Sequence, residues 1–182
     1  MPLPAAGANP RSARLLAEPG KSLLHVIFAA PFNEGRGIYY ARMGLDSGSW
    51  TTPTVVFSAA AAGWEGVDQP QMALDAASGT LHAARLRAPV PGSVTPGGAA
   101  YARSTDGGAT WTAAAPLGEG ALSGLGLISP WPGQLLAIWT QTRATRRDIV
   151  ARQSSDGGLT WSESGPIAGL SNASGAADVT AI

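Results

Sequence analysis

The chain has 182 residues, 12 basic and 12 acidic side chains that balance to zero formal charge, and no cysteine. Zero charge without any Lys/Arg-rich run excludes a nucleic-acid backbone or an anionic bilayer as an electrostatic partner, and the lack of cysteine excludes disulfides, thiolate metal sites and thiol nucleophiles. With only His25 and His82 to offer imidazole, and apolar runs too short to span a bilayer, no metal, cofactor or membrane span is expected.

The 24 glycines and 14 prolines are spread evenly between short apolar runs, which predicts an all-β protein with many tight turns. Residues 1–11 read as a flexible segment, without the charged and apolar regions of a signal peptide. Four strand-like runs follow: Ala13-Arg-Leu-Leu-Ala17, Leu24-His-Val-Ile-Phe28 after a turn at Gly20, Gly37-Ile-Tyr-Tyr-Ala-Arg42, and Thr54-Val-Val-Phe57. The next four are Gln71-Met-Ala-Leu-Asp75, Leu81-His-Ala-Ala-Arg85 after Gly79, Ala99-Ala-Tyr-Ala-Arg103 and Ala113-Ala-Ala-Pro-Leu117. A third set has Gly126-Leu-Ile-Ser129, Leu135-Leu-Ala-Ile-Trp139 after Gly133, Asp148-Ile-Val-Ala-Arg152 and 162–167. The last residues, Ala177-Asp-Val-Thr-Ala-Ile182, align with the start of the second set.

A repeated turn separates the third and fourth runs. Ser104-Thr-Asp-Gly-Gly-Ala-Thr-Trp111 returns 50 residues later as Ser154-Ser-Asp-Gly-Gly-Leu-Thr-Trp161, and a shortened form, Leu45-Asp-Ser-Gly-Ser-Trp50, precedes both. Four short strands per roughly 45–60 residues is the pattern of a β-propeller blade. The expected architecture is therefore four-stranded antiparallel blades at about 12–58, 69–118 and 125–168, with a fourth begun at 176–182. Three blades do not close a ring. The chain is expected either to belong to a longer propeller protein or to be completed by a second copy.

Within the turn, glycines such as Gly107, Gly108 and Gly158 supply positive φ. Asp106 and Asp156 are positioned to accept backbone N–H bonds in their own turns, with Ser104 and Ser154 adding local bonds, while Trp111 and Trp161 bring large apolar area. The first copy keeps Asp46 and Trp50 in a shortened form, so that turn is expected to be less stiff. The reading is structural: a single Asp-x-Gly turn lacks the several acidic ligands of a calcium loop.

The S-x-D-x-G-x-x-W pattern between third and fourth strands resembles the Asp box, or bacterial neuraminidase repeat, of the sialidase (neuraminidase) superfamily. The resemblance spans residues 12–182. It implies a six-bladed propeller with its active site on the face opposite the boxes, an arginine triad that grips a carboxylate, a Tyr/Glu nucleophile pair and an aspartate acid/base. The F/Y-R-I-P motif of the first arginine is missing, and Tyr39, Tyr40 and Tyr101 all fall in third strands.

Alternating strand direction places the loops 31–36, 87–98 and 141–147, together with 59–69, 118–125 and 168–175, on the face away from the boxes. Candidate ligand-face residues there are Glu34, Arg36, Trp64, Glu65, Asp68, Arg87, Arg143 and Arg146, with Trp64 beside Glu65 as a sugar-stacking pair. Arg85, which stands where the other blades have Phe28 and Trp139, joins them as a residue aimed into a site or a central channel. His25 and His82 occupy matching positions and predict a shared packing role. The function read from these residues is a non-catalytic module that binds a glycan or protein on an exported or cell-surface protein. The alternative is a piece of an exo-sialidase or related glycoside hydrolase.

Overall fold

The computed structural model describes residues 10–30, 35–62, 64, 66–87, 97–143 and 146–167. The expected strand at the end of the chain lies outside them. Among the described residues there are strands and turns but no helix, hence no helix long and apolar enough to cross a membrane.

Three antiparallel sheets follow one another along the chain. The first contains β1 (Arg11–Glu18), β2 (Leu23–Ala30) and β3 (Gly37–Gly44), edged by a fourth strand in two pieces, β4 (Ser49–Trp50) and β5 (Thr54–Ser58). The second runs β6 (Asp68–Asp75), β7 (Thr80–Arg87), β8 (Gly98–Ser104), β9 (Ala115–Glu119). The third runs β10 (Ala121–Ile128), β11 (Leu135–Arg143), β12 (Arg146–Ser154), β13 (Gly165–Pro166). Two connections differ from expectation. Residues 118–125, read as a loop, are strand ends joined through Gly120, whose φ of 109° only glycine adopts freely. Residues 141–143 and 146–147, also read as loop, are strand ends, with Arg143 paired to Arg146. Both stretches carry polar residues that look loop-like in sequence, yet cross-strand pairing absorbs them.

The first strands β1, β6 and β10 neighbour one another, so the sheets pack side by side along them. Each carries a bulge at the same height, at Ser12 (φ 55°), Gln69 (φ 49°) and Gly124 (φ 59°). A shared bulge turns each first strand by the same amount. Apolar side chains fill the two seams: Ile27, Ile38 and Phe57 meet Leu81, Ala83 and Ala102 in one, and Leu86, Tyr101 and Leu117 meet Leu127, Ala137 and Trp139 in the other.

The Ser-x-Asp turns act across these seams. In each, the serine hydroxyl donates to the aspartate (2.7 Å at Asp106, 2.8 Å at Asp156) and accepts from the second glycine N–H (Gly108, 2.8 Å; Gly158, 2.9 Å). The aspartate also accepts the N–H and the hydroxyl of Thr110 or Thr160. Those donors hold both carboxyls well below the usual carboxylate range. The turn then lies against the preceding sheet. Tyr40 donates to the Gly107 carbonyl (3.2 Å) and Tyr101 to that of Gly157 (3.5 Å), and Arg42 and Arg103 donate to the same two oxygens. The rings of Trp111 and Trp161 meet those tyrosines edge-on at 5.5 and 5.0 Å. Behind each tyrosine, His25 or His82 hydrogen-bonds the hydroxyl through Nδ1 at 2.7 Å. The matching histidines thus share one contact. The first turn, four residues long (45–48), has Gly48 in place of this arrangement (φ 62°), and Asp46 takes no such bonds among the described residues.

A methyl group on Gly158 would overlap the Tyr101 hydroxyl, at a φ of 82° that disfavours any side chain. Gly158→Ala is expected to cost about 2–4 kcal/mol in urea unfolding, combining left-handed strain with overpacking. Gly165→Ala, with nothing near its Cβ, should cost under about 1 kcal/mol; equal losses would show that the seam is not the constraint.

Burial, helped by the Arg103 charge and opposed by Asp75, takes His82 down to about 4. Its folded value lies below its unfolded one, so its contribution is intact above pH 6.5 and is lost as pH falls toward 4. Urea midpoints should drop steeply between pH 7 and pH 5. His82→Gln should flatten that dependence, and an unchanged slope would refute the assignment.

Candidate functional site

The strand ends and connection on the side away from the Ser-x-Asp turns gather an indole and three arginines. Trp64 sits in the connection between β5 and β6, fixed by its own N–H to the Ala59 carbonyl (2.9 Å). Its carbonyl accepts Arg36 Nε at 2.5 Å. Two arginines of β7 share its ring, the Arg85 guanidinium 3.7 Å and the Arg87 guanidinium 5.5 Å from the centroid. Arg85 also lies 5.1 Å from the centre of Phe57. It is thus held between two aromatic faces, a geometry in which a desolvated cation is attracted by the ring quadrupoles.

Arg85 is a buried cation, 2% exposed. Its Nε and Nη1 are buried without a hydrogen-bond partner among the described residues. Burial, with the nearby Arg87 charge, draws it down to about 9. The sequence reading aimed this residue at a site or channel. The structure places it in the seam between the first two sheets, beneath Trp64. The register explains the swap: in the next seam Trp139 occupies the position of Arg85 and packs on Gly118, which stands where Phe57 stands. A large ring on a glycine in one seam is replaced by a long cation on a phenylalanine in the other.

The remaining candidates lie elsewhere. Asp68, in β6, accepts from Ser12 (2.6 Å) and from the Gln69 N–H, and pairs with Arg11 at 3.7 Å, which ties it to the neighbouring bulge. Arg143 donates to Gln141 (3.3 Å) and Arg146 to Asp148 (2.6 Å) at the far hairpin end of the third sheet. The structure brings Arg85 and Arg87 together, but not with Arg143 or Arg146. Glu34 and Glu65 lie outside the described residues. Arg36 was named only as one loop residue among several; its contact with Trp64 carries no sequence signal, because the two are distant in the chain. Among the described residues, no group of three His, Asp or Glu side chains could hold a metal ion.

A buried guanidinium with unmet donors costs folding energy, and its aromatic contacts return only part of that. Arg85→Met, which keeps the stem and removes the charge, is expected to stabilise the protein by about 1–2 kcal/mol in thermal or urea unfolding. A loss of similar size would mean that the cation is needed for packing.

No protein-family model and no curated protein matches the sequence. Solved structures do. A Hadza microbial sialidase superposes with a TM-score of 0.66 at 19% identity, over 84% of this chain and 36% of its own. The alpha-L-arabinofuranosidase of Fusarium graminearum gives 0.58 at 18% identity, over 91% and 50%. A family 117 glycoside hydrolase of the marine bacterium Zobellia galactanivorans gives 0.57 at 13%, over 87% and 56%. The chain thus spans from about a third to just over half of these proteins. Identity this low speaks for architecture alone: the three sheets are consecutive blades of the β-propeller fold that these glycan-acting enzymes share.

Proposed function

We propose that the chain is the part of a glycan-recognising propeller that holds an acidic sugar, by binding rather than by hydrolysis. The observation that carries this reading is the cation beneath the indole. Arg85 has two donors with no described partner, it is charged at neutral pH, and it sits with Arg87 and Arg36 around one half-buried aromatic ring. Buried donors without a described partner are groups waiting for an acceptor. A carboxylate or sulfate on a pyranose supplies one, while the ring's apolar face suits the indole. The likeness to glycan-acting propellers supports the ligand class without specifying it.

Binding is preferred over hydrolysis because glycoside cleavage needs two carboxyl groups facing each other across the sugar. Of the described carboxylates on this face, Asp68 and Asp148 lie apart from the arginines around Trp64 and are engaged by Ser12, Arg11 and Arg146. The Ser-x-Asp turns serve as Asp boxes of the sialidase type, structural clamps on the opposite face. Such a module belongs outside the cell or at its surface, where acidic glycans are met.

Isothermal titration with sialyllactose and with a glucuronate-containing oligosaccharide tests the reading. One of them should bind, and Arg87→Ala should weaken it at least tenfold, the worth of one charge-assisted hydrogen bond. Binding of neutral and acidic sugars alike would refute the acidic preference. Release of product from a fluorogenic sialoside would establish the hydrolase reading instead.

A further inference from the structure

On the opposite face, where the Ser-x-Asp turns lie, the turn between β10 and β11 exposes a second indole. Trp131 is 71% exposed, the most exposed of the large apolar side chains among the described residues. It stands between Pro130 and Pro132 in the sequence Ser129-Pro-Trp-Pro-Gly133. Beside it lies a cleft of about 360 Å³, walled by Leu74, Asp75 and Ala77 of the neighbouring blade and by Ser129. That volume is at the small end of ligand pockets.

The turn is held far more firmly than an ordinary surface turn. Two prolines fix backbone φ on either side of the tryptophan. The Gln134 N–H donates to the Trp131 carbonyl at 2.9 Å. The Gly133 N–H donates to Asp75 Oδ2 at 2.9 Å, and the Gly133 carbonyl accepts the Gly157 N–H at 2.8 Å. Gly133 itself needs its positive φ of 69° to make both contacts. One exposed apolar ring is therefore clamped to the preceding blade on one side and to its own Ser-x-Asp turn on the other. Rigidity before binding removes much of the entropic cost of capturing a ligand.

The polar groups around the cleft define the ligand. Burial pushes the Asp75 carboxyl up, but N–H bonds from Gly133, Ala77 and Ser78 outweigh it and keep the group ionised. No cation lines the cleft, so an anionic ligand would meet repulsion. The Ser129 hydroxyl is buried and has no hydrogen-bond partner among the described residues, so it requires one from elsewhere. A flat apolar platform, an unsatisfied hydroxyl and a negative charge together fit an uncharged polyhydroxylated ring.

We propose that Trp131 and the cleft between residues 74–77 and 129–132 form a subsite for a neutral pyranose, stacked through its C–H face on the indole and hydrogen-bonded to Ser129 by a hydroxyl. This site is separate from the arginine rim and uses none of its residues. A protein carrying both would hold a glycan, or two strands of one, at opposite faces of the same blades.

Affinity gel electrophoresis of the whole chain, with cellohexaose, xylohexaose, mannohexaose and laminarihexaose in turn in solution or their polymers in the gel, provides the test. At least one neutral polymer should retard the protein, and the matching hexasaccharide should shift the Trp131 indole N–H resonance. Trp131→Ala should weaken that binding at least tenfold, Trp131→Phe less so, and Arg87→Ala not at all. Thermal unfolding should be nearly unchanged in Trp131→Ala, because the ring is exposed. If no neutral saccharide binds, or if Trp131→Ala binds as the parent does, the subsite does not exist. If a proline-rich peptide shifts the Trp131 resonance while the sugars do not, the ligand class is wrong. If the unsubstituted protein binds a neutral saccharide but neither acidic sugar, the rim reading is overturned and this one stands.

Discussion

The structure turns on one contact: a tyrosine hydroxyl of one blade against the bare backbone of a glycine pair in the next. Tyr40 meets Gly107–Gly108 and Tyr101 meets Gly157–Gly158, each with an arginine donating to the same carbonyl and a tryptophan edge on the ring. No side chain fits between, since any Cβ on Gly108 or Gly158 would overlap the tyrosine. The Ser-x-Asp hydrogen bonds give the turn its shape, and the shape brings the glycines to the neighbour. A four-stranded sheet must bury both faces, and this contact fixes how far apart consecutive blades sit and how they are rotated. The third blade lacks the receiving set, with Leu136, Ala151 and Gln153 at the positions of His82, Tyr101 and Arg103. The first blade lacks the glycine pair. The contact is therefore a property of the two internal seams.

The same seams show two ways of filling one position in the fold. At the height of β7 and β11 the choice lies between Trp139 packed on Gly118 and Arg85 packed on Phe57. Both fill the space, so either satisfies close packing. Only the second places a charge there. Stability alone would favour the aromatic solution, since an uncharged ring needs no desolvated donors. A buried cation at a position where the adjacent repeat has a hydrophobe carries a desolvation cost that its aromatic contacts only partly return.

Repetition made the architecture legible before any coordinates. The glycine turns at Gly20, Gly79 and Gly133, with φ of 73°, 71° and 69°, mark the same corner of each blade, and the strands between them can be counted from their apolar runs. The ends of strands were less legible. Gly120 does alone what a loop of eight residues was expected to do, because a single glycine at a φ of 109° reverses the chain. Gln141–Arg143 and Arg146–Arg147 look like loop by their arginines and polar side chains, yet they pair as the ends of two strands. Of the candidate site, the composition was visible and the grouping was not. Trp64 and Arg85 are chemically conspicuous in the sequence, but the stacking of Arg85 and Arg87 on one ring, and the approach of Arg36 to its carbonyl, depend on how two blades are rotated together. That rotation is set by the tyrosine–glycine contact, which no local pattern expresses. Arg143 and Arg146 share a residue type with the rim and nothing else.

The distribution of charge partners separates the two faces chemically. On the face of the Ser-x-Asp turns, three acids are satisfied by backbone and hydroxyl donors from their own or the next turn: Asp106 and Asp156 by Thr110 and Thr160, Asp75 by Gly133, Ala77 and Ser78. A carboxylate surrounded by such donors has a lowered proton affinity and cannot act as a general acid near neutral pH. On the other face, the guanidinium of Arg85 is stacked on aromatic rings, which stabilise a cation without using its N–H groups. The two faces thus differ in kind, with acids bonded by their own or the next turn on one and a cation stacked on aromatic rings on the other. The division follows from the topology: turns joining first to second and third to fourth strands are short and self-bonded, whereas the connection that carries Trp64 is long enough to lay an indole over the seam.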